Sequence, residues 1–127
     1  QNIIYRSLWE RKFMNYCDLN ENILEWASEE FWIPYLDPTT NRVRRYFPDF
    51  FIKYKDKDSN IRRSVIEVKP MRETLQPKAT KGKSRKTMIN ESMTYVKNQA
   101  KWKAAREFCA DRKLEFKIMT EKELGIR

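Results

Sequence analysis

From Pro48 to Pro70 the chain reads PDFFIKYKDKDSNIRRSVIEVKP. Phe50 to Tyr54 is rich in aromatic and β-branched residues and reads as a strand. Lys55 to Asn60 is a polar turn, and Ile61 to Lys69 resumes as a second strand that Pro70 ends, since proline cannot donate to a sheet ladder. The pair predicts a hairpin. With the turn centred on Asp58, paired residue numbers sum to the same value as 49 and 67, so Asp49 faces Glu67 across the ladder. Side chains alternate along a strand with a rise of about 3.3 Å, so Glu67 and Lys69 share a face and Val68 points the other way, into the core. A bulge would shift this register.

Two carboxylates on paired positions repel, and a sheet built only for stability avoids them or neutralises them. A divalent cation resolves the conflict. Mg²⁺ takes hard oxygen ligands and keeps several waters, so Asp49, Glu67, the Val68 backbone carbonyl and substrate phosphate oxygens would suffice. Lys69 could orient or deprotonate an attacking water, or neutralise charge that develops on a phosphate. The sequence leaves both roles open. Each motif alone is weak, because Pro-Asp is an ordinary strand entry and Glu-Val-Lys an ordinary charge pattern.

Outward from this hairpin, Ser7-Leu8-Trp9-Glu10 reads as a capping box that opens a helix from Leu8 to about Leu19, with Phe13, Tyr16 and Cys17 on its apolar face. Residues 18–22 break the pattern. Phe31-Trp32-Ile33 before Pro34 reads as a short strand, Asp37 to Asn41 as a turn, and Arg44 to Tyr46 as an extension into a strand. Met71 to about Arg85 has little to bury and reads as a long exposed loop. A long helix follows from near Thr87 to about Asp111, with Ile89, Met93, Val96, Ala100, Ala104 and Phe108 as its core stripe. Leu114 to Ile118 alternates as a half-buried strand, and Thr120-x-x-Glu123 caps a last short helix that Gly125 can terminate. The order implies an α/β fold, a mixed β-sheet flanked by helices, in one domain over 1–127.

At 127 residues and 40% hydrophobic content the chain can bury one modest core. It opens at Gln1, which we read as a segment lacking some N-terminal residues. No apolar run approaches a membrane span and no signal pattern is visible, so the expected setting is intracellular with no membrane partner. Two cysteines and no histidine exclude a disulfide framework and leave a zinc site almost without ligands. Cys17 and Cys109 are expected buried and reduced. With two glycines and no glycine-rich loop, no nucleotide cofactor is expected.

The formal net charge is +9. Between Lys69 and Lys86, seven cations (Lys69, Arg72, Lys78, Lys81, Lys83, Arg85 and Lys86) stand against one acid, Glu73, which leaves +6 in one segment. Such a segment suits DNA phosphates, which recruit cations by counterion release. A solvated loop has the same composition. Lys101 on the long helix is a further candidate DNA contact beside Lys97 and Gln99. Arg44 and Arg45 could clamp DNA, or protect a sheet edge from aggregation. Trp9, Trp26, Trp32 and Trp102 are expected mostly in the core.

Pro48-Asp49 ahead of one strand and Glu67-Val68-Lys69 closing the next resemble the PD-(D/E)XK nuclease signature. Tyr5 to Glu10, Arg45 to Phe50, Ile66 to Pro70 and Ala100 to Ala105 together resemble the head completion nucleases of T-even-type phages, a likeness spanning nearly the whole chain. The resemblance implies a restriction-endonuclease-like fold and Mg²⁺-dependent hydrolysis of DNA phosphodiesters, with Mn²⁺ able to substitute. Asp49 and Glu67 match its metal-binding acids, Lys69 its catalytic lysine, and Glu10 the acid that many members carry on their first helix. Glu10 also closes the Ser7 capping box, so its role stays open. The resemblance further implies action on phage DNA in the host cytoplasm or virion, and phage head or neck proteins as partners. Two alternatives remain: a non-catalytic DNA-binding or head-joining protein, and a junction-resolving or transposon-end nuclease of the same superfamily.

Overall fold

The computed structural model describes residues 2–28 and 31–125, with side chains from Leu8 onward. In chain order the elements are α1 (Asn2–Leu19), β1 (Ile23–Ser28), β2 (Ile33–Asp37), β3 (Arg42–Tyr46), β4 (Phe50–Lys55), β5 (Ile61–Val68), α2 (Met71–Thr74), α3 (Arg85–Asp111), β6 (Glu115–Met119) and α4 (Glu121–Leu124). Four strands form a mixed sheet in the order β1-β4-β5-β6, with β5 and β6 parallel and the other pairs antiparallel. Parallel neighbours need a long crossover, and α3 supplies it between β5 and β6. β2 and β3 make a separate antiparallel ribbon that packs on α3. This mixed sheet flanked by helices is the restriction-endonuclease-like α/β arrangement.

The two faces of the sheet carry two cores. On one, Trp9, Phe13 and Cys17 of α1 meet Phe50, Ile52, Ile66 and Val68. Phe13 is fully buried and its ring lies 4.4 Å from that of Phe50, centroid to centroid. On the other, Trp102 and Ala105 of α3 meet Ile33, Tyr35 and Tyr46 of the ribbon, with Phe116 and Ile118 of β6 beside them. Alternation along β5 divides its side chains between these cores, so Ile66 and Val68 face α1 while Glu67 faces α3. Cys17 and Cys109 are buried and free, as expected.

Several sequence expectations shift. The first helix starts at Asn2, so Ser7 lies inside it and cannot be an N-cap; the Ser7 side chain itself is outside the described residues. β1 went unread because its pairing with β4 slips between Ile23 and Glu25, and a bulge of this kind breaks the two-residue alternation that marks a strand. Pro34 does not end a strand: β2 runs through it, which a two-stranded ribbon tolerates where the missing N–H faces outward. Asp37 is the last residue of that strand, sealed from solvent, with Thr39 donating to it from its backbone at 2.9 Å and its hydroxyl at 2.7 Å. The basic loop begins with the one-turn helix α2, and α3 starts at Arg85, just before the expected start near Thr87, with Ser84 as its N-cap accepting the Thr87 N–H at 3.1 Å. Thr120 and Glu123 do form the predicted capping box, and Gly125 closes α4 at φ 71°, in the left-handed region that glycine enters without a Cβ penalty.

The stripe on α3 is the largest correction. Ile89, Met93 and Val96 are about half exposed, at 50%, 46% and 45%. At roughly 100° per residue they lie opposite the row that is buried, Asn98, Trp102, Ala105 and Cys109. Only Ala100, Ala104 and Phe108 from the expected stripe reach the second core. Among the tryptophans, Trp9 and Trp102 are buried, Trp26 packs against the first core, and Trp32 is exposed beneath the Arg45 guanidinium, 4.8 Å from the ring centroid. No helix among the described residues is long and apolar enough to cross a membrane.

The first core should depend on Phe13. Phe13→Ala is expected to lower unfolding free energy by about 3–5 kcal/mol, read from denaturant titrations. A loss below about 1 kcal/mol would mean that α1 is not anchored on the sheet through this ring.

Candidate active site

The β4–β5 hairpin has the register expected from its turn. Phe50 pairs with Ile66 and Lys55 with Ile61, an unbroken ladder without a bulge. Continued by one residue, it sets Asp49 across from Glu67. Asp49 stands in the bend just before β4, where the chain is held by its own side chain: Oδ2 accepts the Val68 backbone N–H at 2.8 Å. One carboxylate is thereby tied to the strand that carries the other.

Glu67 is 6% exposed, and its Oε1 accepts a 2.8 Å hydrogen bond from the Tyr46 hydroxyl. Burial, seconded by the negative charge of Asp49, pushes its carboxyl up to about 7, while Lys69, the Tyr46 hydrogen bond and Lys101 pull the other way. The two acids therefore sense each other, and the buried one is reluctant to ionise near neutrality. Tyr46, raised far above its usual range by burial and by Glu67, stays a neutral donor. Lys101 of α3 stands over the Tyr46 ring, 5.8 Å from its centroid, and over Tyr35 at 5.9 Å. Lys69 directly follows β5; its backbone N–H donates to the Met119 carbonyl at 3.0 Å and extends the parallel pairing with β6.

The end of β5 opens into a cleft of about 830 Å³ between α1, the 71–84 segment and the first half of α3. Glu10, Asp49 and Lys69 line it together, and Val68 borders it with its side chain sunk in the first core. Glu10 is thus a mid-helix residue facing the site, not the closing member of a cap. Arg72, Lys78 and Lys83 from the basic segment line the same cleft. Lys83 braces that segment by donating to Glu91 Oε1 at 2.8 Å and to the Lys78 carbonyl at 3.0 Å.

Other predicted residues lie elsewhere. Lys81, Arg85 and Lys86 are exposed but do not line the cleft. Arg44 pairs with the buried Asp37, Nε to Oδ2 at 3.0 Å, and Arg45 lies over Trp32. Both arginines sit on the ribbon, outside the cleft lining. Sequence reasoning passed over Tyr46 and Asn98. Tyr46 falls inside the Arg45 to Phe50 segment that carries the family resemblance, and its place two residues before Pro48 was the signal that could have found it. Asn98 is a polar residue in the apolar row of α3, legible only with the correct face.

Acid oxygens are the hard donors that Mg²⁺ prefers, and two carboxylates with waters and phosphate oxygens make an adequate set. Asp49 and Glu67 fit that chemistry, and their mutual repulsion is what a cation would relieve. Among the described residues no group of three or more His, Cys, Asp or Glu side chains is close enough to hold a metal alone. Glu10 therefore borders the site without completing a ready-made three-acid cage.

The family model for the TnsA-like endonuclease N-terminal region matches residues 20–121, a span that holds the hairpin, the basic segment and α3. The chain belongs to the TnsA-like endonuclease family. It is also 38% identical over 122 residues to the head completion nuclease of Enterobacteria phage T4, covering 94% of this chain and 79% of that protein. No solved structure matches it.

The raised Glu67 carboxyl has a consequence for metal-free protein. Its folded value lies above the usual 4.5, so the folded state holds a proton that the unfolded chain has released between about 4.5 and 7. Stability should be fullest below that window and fall as pH rises through it. Glu67→Gln should remove this fall, seen by comparing thermal midpoints of the two proteins in chelator from pH 4.5 to 8. A pH-independent difference between them would contradict the assignment.

Proposed function

We propose that this nuclease hydrolyses DNA phosphodiesters with a divalent cation, Mg²⁺ or in its place Mn²⁺, held by Asp49 and Glu67. The observation that carries the reading is the pairing of those two acids by an unbroken hairpin, one fixed by a backbone N–H and the other buried against Tyr46. Membership of an endonuclease family supplies the reaction class. The likeness to a phage head completion nuclease, which reaches over nearly the whole chain, supports a role on phage DNA during head completion. Head or neck proteins would then be its partners in assembly.

A bound cation would lower the pKa of a water and offset charge on the attacked phosphate. The chain's own residues do the rest. Asp49 keeps one orientation because Val68 holds it, and Tyr46 holds Glu67, so little reorganisation is needed when substrate arrives. Lys69 places a positive charge beside the acids, where it can steady the water or the phosphate oxygens. Arg72 and Lys78, on the cleft lining, meet the flanking backbone. Such phosphate contacts give affinity without sequence preference. A purely structural DNA-binding role fits poorly, since a buried acid facing a second acid costs stability that Tyr46, Lys69 and Lys101 offset only in part.

Incubation with linear, circular, branched and single-stranded DNA, in Mg²⁺ or in chelator, tests the proposal. Cleavage should require the cation, and Asp49→Asn, Glu67→Gln and Lys69→Ala should each lower its rate about 100-fold or more while DNA binding persists. Full activity in chelator would reject the metal, and full activity in any variant would remove that residue from the mechanism. Replacing Arg72 and Lys78 with Ala should weaken binding and lower the slope of log affinity against log salt by about 0.9 for each phosphate that is no longer neutralised. An unchanged slope would show that these cations do not touch DNA.

A further inference from the structure

Asn98 is 6% exposed and belongs to the buried row of α3, beside Trp102, Ala105 and Cys109. A side-chain amide in such a row is costly unless it is hydrogen-bonded. Its amide makes no hydrogen bond to any other described residue, and its polar atoms are not sealed off, because Asn98 lines the cleft. A nearly buried amide thus opens onto the space that Asp49 and Lys69 also border.

Asn98 does not stand alone. Asn90, Thr94 and Asn98 follow at four-residue intervals, so they stack along one side of α3 in steps of about 6 Å. All three line the cleft, and burial deepens along the row, from exposed Asn90 and Thr94 to enclosed Asn98. The cations Arg72, Lys78 and Lys83 line the same cleft, together with the acids Glu73 and Glu91, the latter paired with Lys83. The cleft therefore combines charged side chains with a row of uncharged hydrogen-bonding ones on α3. Amide and hydroxyl groups both donate and accept, which suits the phosphate and sugar oxygens of a nucleic-acid backbone.

We propose that the row Asn90-Thr94-Asn98 is the track for the sugar–phosphate backbone of one DNA strand, with Asn98 holding the nucleotide nearest the two acids. This rests on the nuclease reading above and adds to it a substrate-binding element on α3. The track orients the strand through neutral contacts, and the 71–84 cations supply the long-range attraction.

The test separates a substrate contact from a packing residue. Asn98→Leu is nearly isosteric and places an apolar side chain in an apolar row, so its thermal midpoint should be unchanged or raised. Its affinity for fluorescein-labelled DNA of the kind the wild type cuts, measured in chelator, should fall about 10- to 100-fold, as expected when a hydrogen bond to a charged group is removed. The salt slope should stay at the wild-type value, since no charge is removed. Thr94→Val, at an exposed position where folding is not at stake, should weaken binding several-fold in the same way. Wild-type affinity in either folded variant would overturn the track, as would a drop in affinity that comes with a flattened salt slope. Wild-type protein that neither binds nor cuts DNA would defeat the nuclease reading itself, whereas a wild type that binds and cuts beside unaffected variants would defeat only the track.

Discussion

The site depends on one electrostatic constraint, the enforced nearness of two carboxylates. The β4–β5 ladder sets Asp49 across from Glu67, and the Val68 N–H fixes the first acid to the strand of the second. Burial and Asp49 together raise Glu67 to about 7. In a protein selected for stability alone, such a pair would be separated or one member replaced by a neutral residue. Here the surroundings preserve the conflict and hold it rigid. Tyr46 donates to Glu67, while Lys69 and Lys101 offset part of its charge. What the fold leaves uncompensated is a demand for positive charge at one point, and that demand connects the geometry to the proposed chemistry.

The elements around the site divide its labour. α1 packs on one face of the sheet and offers Glu10 to the cleft from the same turn that buries Trp9. The C-terminal half of α3 packs on the other face, and its N-terminal half borders the cleft. The first half of α3 keeps Ile89, Met93 and Val96 half exposed on the side away from the buried row. The ribbon of β2 and β3 serves the site by delivering the Tyr46 hydroxyl to Glu67. Asp37 and Arg44 hold that ribbon together, with the Asp37 carboxyl kept below its usual range chiefly by the Thr39 hydroxyl.

Much of this was legible in the sequence where a local rule also decides the tertiary arrangement. A short polar turn between two strongly β runs sets a hairpin register unaided, and so the meeting of Asp49 and Glu67 followed from counting around Asp58. Thr120, Glu123 and Gly125 carry their cap chemistry within six residues. The misreadings share a cause, since each needed information from a distant segment. A bulge hid β1. Ser7 looked like a cap because Ser-x-x-Glu is the capping-box pattern, yet the five residues before it are helical. The α3 stripe was assigned by counting apolar residues, but which face is buried depends on where the helix crosses the sheet. Tyr46 reaches Glu67 across 21 positions from a different sheet, and no pattern within either strand announces that bond. Asn98 was hidden by the same error of face.

Calorimetric titration of Mg²⁺ into the metal-free protein at pH 6, repeated in buffers of different ionisation enthalpy, tests the central claim most directly. If a cation binds where Asp49 and Glu67 meet, the reluctant Glu67 carboxyl must give up its proton, so about one proton should leave per ion at pH 6 and almost none above pH 8. Mg²⁺ binding with no proton release at pH 6, or no Mg²⁺ binding at either pH, would contradict the account.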